Sequence, residues 1–263
     1  NPMFFTGLMK KLGIRMQVFK VGTYKSAVEP YIAEQMSDAN REQVSSYQQS
    51  IWNNMLKDVA KSRKTTAEAL NSLADSLTIL SGPEASVKGG LVDKLCYQDE
   101  VKKILKNKAK MEEDESLRFV SISDVALSEE LNDKVDDEIA VYYAYGEIKE
   151  DITGGFAQES AITSKQMTKD LQELREDDDV KAVVLRVNSP GGSAYASEQI
   201  WREVQLLSKE KPVIVSMGAL AASGGYYISC GANKIFAEPT TLTGSIGIFG
   251  MIPDATELLT DKL

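Results

Sequence analysis

The stretch LAASGGYYIS (220–229) sets Ser223 among small residues, with Gly224 and Gly225 behind it and an apolar, helix-like run beyond. A nucleophilic hydroxyl is presented in this way at the start of a helix, where the partial positive charge of the N-terminus favours a developing anion. The same residues also suit a tightly packed helix start with no chemistry. A serine nucleophile needs a base, and the chain has no histidine, which excludes a Ser-His-Asp triad. Position 221 is alanine, so the G-x-S-x-G elbow is not met either. Lysine is the remaining common base for a serine hydroxyl.

Thirty Lys and Arg residues offer many candidates, so spacing has to select. Ser208 and Lys211 form an S-x-x-K in a charged segment, and Tyr145 and Lys149 a Y-x-x-x-K without a dinucleotide-binding glycine pattern. Both read as chance matches. Lys25, in VGTYKSAVEP, lies in a Gly/Pro-bounded loop beside a strand with few charges close by, although a solvated loop lysine fits the same residues. As a base it faces a physical demand. A free lysine has a pKa near ~10.4, so fewer than about one in a thousand is neutral at pH 7, and catalysis needs a value nearer ~7–8. Burial among neutral partners achieves that. Pairing with Glu29, the acidic residue nearest in sequence, would oppose it.

VNSPGGSA (187–194) is the third candidate. A strand ends at Asn188, Pro190 fixes a turn, and Gly191 and Gly192 allow backbone conformations closed to other residues. Adjacent amides freed at such a turn can converge on one point, as an oxyanion hole requires, or simply turn a strand into a helix.

These residues need elements to position them. IRMQVFKVGTYKS reads as a strand entering a loop, with Met16 and Val18 on one face. From Ser37 a capped helix is expected, its apolar positions being Val44, Tyr47, Ile51, Met55, Leu56 and Val59. Thr65 with Glu68, and Ser81 with Glu84, have the spacing of capping boxes, and Gly89-Gly90 should stop the second helix. Residues 106–138 are dense in charge and make the best boundary. Beyond it, EIAVYYAYGEI, VKAVVLRVNS and KPVIVSMGAL are near-continuous apolar strands separated by helix-length segments, 163–176 and 194–208. That grammar is α/β, with buried parallel strands and βαβ crossovers.

Composition narrows the function. A net charge of −9 with no basic block argues against nucleic-acid binding. Cys96 and Cys230 stand far apart with no CxxC, so neither a disulfide framework nor a His/Cys metal site is expected, and no cofactor motif is present. No apolar run approaches the ~18 residues of a membrane span. The chain opens on NPMFF and closes on TELLTDKL, which shares Leu-x-x-Lys-Leu with TGLMKKLGI near the start (Leu8–Leu12 against Leu259–Leu263). Both features suit a piece cut from a tandem duplication.

FKVGTYKSAVEP, VNSPGGS, VSMGALAASGGYYIS and TLTGSIGIFG, in these relative positions, resemble the signal peptide peptidase A (protease IV) family, serine peptidases of the ClpP/crotonase superfold. The match is to the long bacterial form with two tandem copies of the fold. By that resemblance residues 1–105 are the tail of copy one, 106–138 a charged linker and 139–263 the head of copy two. The resemblance implies Ser223 as nucleophile, Lys25 as general base, Ser245 as the serine that orients the lysine, and Gly191 with Gly192 as the oxyanion-hole turn. It also implies peptide substrates (remnant signal peptides), no cofactor or metal, a homotetramer in the full-length form, and an inner-membrane anchor outside this chain with an extracytoplasmic catalytic part. Two alternatives remain: a crotonase-type acyl-CoA enzyme, which would work through glutamates, and an inactive scaffold of the same fold.

Overall fold

The structure, a computed structural model, describes residues 3–128, 137–151 and 161–262. The chain divides into two compact units, Asn1–Trp52 with Asp136–Leu263, and Asn53–Val135.

The first unit opens with α1 (Thr6–Leu12) and β1 (Arg15–Lys20), in which Met16 and Val18 are half-buried and their neighbours exposed, as the alternation requires. A 3₁₀ turn, Ser26–Val28, runs into the short α2 (Glu29–Ile32). Helix α3 (Asp38–Arg63) follows, and from Asn53 on it belongs to the second unit. Ser37 caps it, its Oγ accepting the Asn40 N–H at 3.1 Å. Of the apolar positions expected to be buried on α3, Leu56 is, whereas Tyr47, Ile51 and Met55 are exposed. At about 100° per residue Tyr47, Ile51 and Met55 fall along one stripe of α3, and that stripe is the exposed one, while Leu56 lies about 100° away from Met55 on the buried side.

In the second unit, α4 (Ala67–Asp75) is capped by Thr66, not Thr65: the Thr66 Oγ accepts from Ala69 N–H at 3.2 Å. The register moves by one because Thr66 has the extended backbone of an N-cap, and Glu68 then falls too early for a capping box. Ser81 does not cap α5 (Pro83–Lys88) either. It belongs to the preceding turn Thr78–Ser81, and Gly82 with Pro83 starts the helix instead. Gly89 and Gly90 end it as expected. Helices α6 (Gln98–Ala109) and α7 (Ile122–Ser128) complete this unit. Part of the charged stretch 106–138, residues 129–136, lies outside the described residues.

The remaining elements build the sheet. They are β2 (Glu138–Tyr145), β3 (Glu147–Lys149), β4 (Ala161–Thr163), α8 (Ser164–Glu176), β5 (Val180–Ser189), α9 (Ala194–Glu210), β6 (Val213–Ala222), α10 (Gly224–Ser229), β7 (Lys234–Phe236), β8 (Leu242–Gly244) and β9 (Phe249–Asp254). Strands run β2-β5-β6-β7, all parallel, and β8 joins the far end of β6. Helices α8 and α9 fall within two residues of the segments expected from sequence.

Val183, Leu185 and Val187 of β5 and Val213, Val215 and Met217 of β6 pack with Leu171 of α8, Ile200 and Val204 of α9 and Ile228 of α10 in one buried cluster. Burying such side chains contributes ~1.5–3 kcal/mol each, and the cluster is the platform that carries the turns at the ends of β5 and β6. Away from it, β1 and β9 pair antiparallel from Arg15↔Asp254 to Lys20↔Phe249, which joins the two ends of the chain.

Candidate active site

Ser223 stands where β6 gives way to α10. Its backbone, φ 53° and ψ −117°, lies where residues other than glycine rarely go, at a cost of about 1–3 kcal/mol. The surroundings enforce it. The Ser223 N–H donates to Gly244 O at 2.9 Å, and its carbonyl accepts from Tyr227 N–H at 2.9 Å. Just upstream, the pairing of β5 with β6 slips: Val187 faces Met217, but Ser189 faces Ala221. β6 thus carries extra residues, and side chains hold the bulge. Asn188 Oδ1 accepts the Leu220 N–H at 3.1 Å. Thr241 Oγ1 donates to Gly218 O at 2.9 Å, and Thr243 Oγ1 to Ala221 O at 2.7 Å.

The Ser-Pro-Gly-Gly turn after β5 is pressed against this serine. A Cβ on Gly191 would stand 2.5 Å from Gly224 N and 2.8 Å from Ser223 Cβ, and Gly191 has φ +97°, so only glycine fits. The Gly191 N–H donates to the buried Ser189 Oγ at 3.1 Å. Gly192 is clasped by β3: Ile148 N–H donates to Gly191 O at 2.9 Å, and Ser193 N–H to Ile148 O at 2.8 Å. The two glycine turns picked out from sequence therefore interlock, with Gly224 N, at the start of α10, packed against Gly191.

Lys25 arrives from the other end of the chain. Because β1 is laced to β9, the loop after Lys20 comes beside the segment before Phe249, and Lys25 Nζ donates to Gly247 O at 2.9 Å. Lys25, Ser223, Ser245 and Gly247 line one cleft of about 1040 Å³. Its walls are mixed, with Val21, Leu242, Ile246, Ile248 and Phe249 beside the polar Glu42, Gln43 and Ser46. No carboxylate lies within 4.0 Å of Lys25 among the described residues. Glu29 is engaged elsewhere: its oxygens accept Ser37 Oγ–H at 2.5 Å, Asn40 Nδ2–H at 2.8 Å and Ser37 N–H at 3.3 Å. Ser245, also at positive φ (52°), sits between the residue that binds the serine backbone and the one that binds the lysine. Its hydroxyl makes no hydrogen bond to Lys25 among the described residues; the lysine is held by the Gly247 carbonyl.

Several of these residues are not legible in the sequence. Gly247 lies within TGSIG, but a backbone acceptor leaves no mark in residue type. Asn188, Thr241 and Thr243 carry a weak signal, since polar residues ending or following apolar strands often serve neighbouring backbones.

The model of peptidase family S49 matches residues 1–112 and 205–263, stretches that include Lys25, Ser223 and Ser245. The chain belongs to peptidase family S49. Among curated relatives, this S49 chain is 40% identical to Protease 4 of Salmonella typhi over 96% of its own length and 41% of the relative's. It is 37% identical to Protease 4 of Haemophilus influenzae (95% and 42%) and 35% identical to the chloroplastic serine protease SPPA of Arabidopsis thaliana (93% and 36%). It thus spans about two fifths of the length of these relatives. Among solved structures, a ClpP1 mutant from Listeria monocytogenes overlaps 35% of the S49 chain and 46% of its own, at TM-score 0.29 and 22% identity, a likeness too slight to argue from. Among the described residues, no helix is long and apolar enough to cross a membrane.

Proposed function

We propose that the protein is a serine endopeptidase working through a Ser223/Lys25 dyad and an acyl-enzyme. The observation that carries this reading is the shared cleft, which is lined both by a serine on a strained strand-to-helix turn, bound to Gly244, and by a lysine with no ion-pair partner among the described residues, bound to Gly247.

The chemistry follows from the positions. Neutral Lys25 Nζ takes the proton of Ser223 Oγ–H as the oxygen attacks the scissile carbonyl carbon. The carbonyl oxygen becomes an oxyanion, received by amides of the Gly191–Gly192 turn and of Gly224; Gly191 contributes once its N–H leaves Ser189 Oγ. Protonated Lys25 then gives its proton to the leaving amine, the C–N bond breaks and an ester to Ser223 remains. Water attacks that ester with Lys25 again as base, which releases the acid and restores the serine. Gly247 O, fixed on the lysine, limits where Nζ can point. Ser245, which lines the same cleft, would complete its orientation by turning its hydroxyl toward Nζ.

The apolar part of the wall, Leu242, Ile246, Ile248 and Phe249, favours peptides with small or apolar side chains, and membrane-associated remnant signal peptides are substrates of that kind. The rest of the reading is of one piece with this: residues 1–105 and 139–263 as parts of two tandem copies of a ClpP/crotonase-type fold, joined by a linker at 106–138. A homotetramer, a membrane anchor outside this chain and an extracytoplasmic active site in a bacterial cell complete it.

The test is labelling of the full-length protein by a fluorophosphonate across pH 5–10, for wild type, Ser223→Ala and Lys25→Ala. Labelling that is abolished in Ser223→Ala and greatly slowed, though still measurable, in Lys25→Ala supports the dyad. Labelling indifferent to Lys25 overturns it, and acyl-CoA turnover surviving in Ser223→Ala would identify the crotonase-type alternative.

A further inference from the structure

Glu29 is a charged side chain that the proposed reaction does not use, and it is 5% exposed. Burying a carboxylate is costly unless donors replace its water. Here three do, and all come from the start of α3: Ser37 Oγ–H on one oxygen, Ser37 N–H and Asn40 Nδ2–H on the other. Ser37 caps α3 with the same hydroxyl that it gives to Glu29. Glu29 follows Val28, itself fully buried, and the 3₁₀ turn Ser26–Val28 links that buried pair directly to Lys25. On the other side of Lys25, residues 21–24 are exposed. Nearby ties lead the same way: Gln43 Nε2 donates to Ser26 Oγ at 3.2 Å, and Lys20 Nζ to Lys25 O at 3.3 Å.

We propose that Glu29 is a positioning residue, its buried carboxylate locking the Lys25 turn onto the first turn of α3 and so fixing the reach of the lysine amine toward Ser223. This rests on the Ser/Lys reading of the cleft. The geometry explains why a carboxylate is needed. Three donors converge on two oxygens, so glutamine would turn an N–H toward one of them, and alanine would leave all three without an acceptor. Ser223 itself is held by β6, β8 and α10, none of which leans on Glu29. The loss should therefore be felt at the lysine and not at the serine.

The experiment is a double-mutant cycle in the full-length protein, reading the fluorophosphonate labelling rate together with the thermal midpoint. Glu29→Gln should slow labelling at least tenfold, and in the Lys25→Ala background should slow it no further than twofold. Glu29→Asp, which keeps an acceptor, should recover part of the rate. Asn40→Ala, a milder change that removes one donor, should slow labelling two- to fivefold and only when Lys25 is present. A wild-type rate in Glu29→Gln, or losses that multiply with Lys25→Ala, would overturn the proposal. If Lys25→Ala alone labels normally, the dyad reading itself has failed, and a positioning role has nothing to act on.

Discussion

Lys25 Nζ and the Gly247 carbonyl oxygen lie 2.9 Å apart across 222 positions of sequence, and Gly244, three residues before Gly247, accepts the Ser223 N–H. One short segment thus grips the backbone of the serine at one end and the amine of the lysine at the other. Ser245 lies between. Since the carbonyl already takes one N–H of the amine, removing the Ser245 hydroxyl should weaken the dyad without dismantling it. Ser245→Ala is expected to lower kcat by about tenfold, less than the ~10²–10⁴-fold that a general base itself contributes, with KM little changed. Steady-state kinetics on a peptide substrate would check this.

Gly191 provides a sharper steric prediction. An added Cβ would overlap Gly224 N and Ser223 Cβ at a backbone φ of +97°. Gly191→Ala should therefore cost about 3 kcal/mol or more in stability and abolish labelling, since either the turn or the serine must move. Gly90→Ala is the matched control, with φ +72° and nothing within 4 Å, and should cost only roughly 1–2 kcal/mol. Equilibrium unfolding in urea would separate the two. Equal losses would mean that the contact with Ser223 is unimportant.

The bulge in β6 is testable through its side-chain supports. Asn188→Ala leaves the Leu220 N–H without its acceptor, a loss of about 1–3 kcal/mol, while Thr243→Val removes a bond to Ala221 O worth ~1 kcal/mol. Both changes lie directly beside Ser223, so the labelling rate should fall in the same order as stability. Unchanged labelling in a destabilised Asn188→Ala protein would show that the bulge supports the fold alone.

How far the sequence reveals the fold and the cleft depends on which interactions are local. The parallel sheet is legible because strands such as 180–189 and 213–222 carry runs of Val, Ile, Leu and Ala, and because helix-length segments separate them. Ser223, Lys25 and the Gly191–Gly192 turn are legible as residue types in suggestive loops, but not as neighbours. That Lys25 lines the same cleft as Ser223 depends on the β1–β9 pairing, which joins the chain ends through backbone hydrogen bonds and leaves no pattern beyond simple alternation. The caps at Thr66 and Gly82 fall one residue from the expected ones because adjacent Thr-Thr and Ser-Gly-Pro sequences offer competing starts, decided by backbone conformation. The fate of Glu29 is not legible at all. Proximity in sequence suggests Lys25 as its partner, while the fold turns it toward Ser37 and Asn40.

Glu29 also makes acid stability predictable. Burial pushes its pKa up, but hydrogen bonds from Ser37 and Asn40, with the charge of Lys20 nearby, outweigh that, and the net value lies below the ordinary 4.5. A carboxylate with a depressed folded-state pKa contributes stability that is fully present above its unfolded value and disappears as pH falls through the folded one. The thermal midpoint of wild type should therefore exceed that of Glu29→Gln by a constant margin from pH 7 to about pH 5. Below the ordinary carboxylate range the margin should shrink, because protonation deprives wild-type Glu29 of the charge that Ser37 and Asn40 solvate. Thermal scans followed by circular dichroism between pH 3 and pH 7 would measure the difference. A margin that stays flat to pH 3 would mean that the charge on Glu29 contributes nothing and that only its shape matters to the turn carrying Lys25.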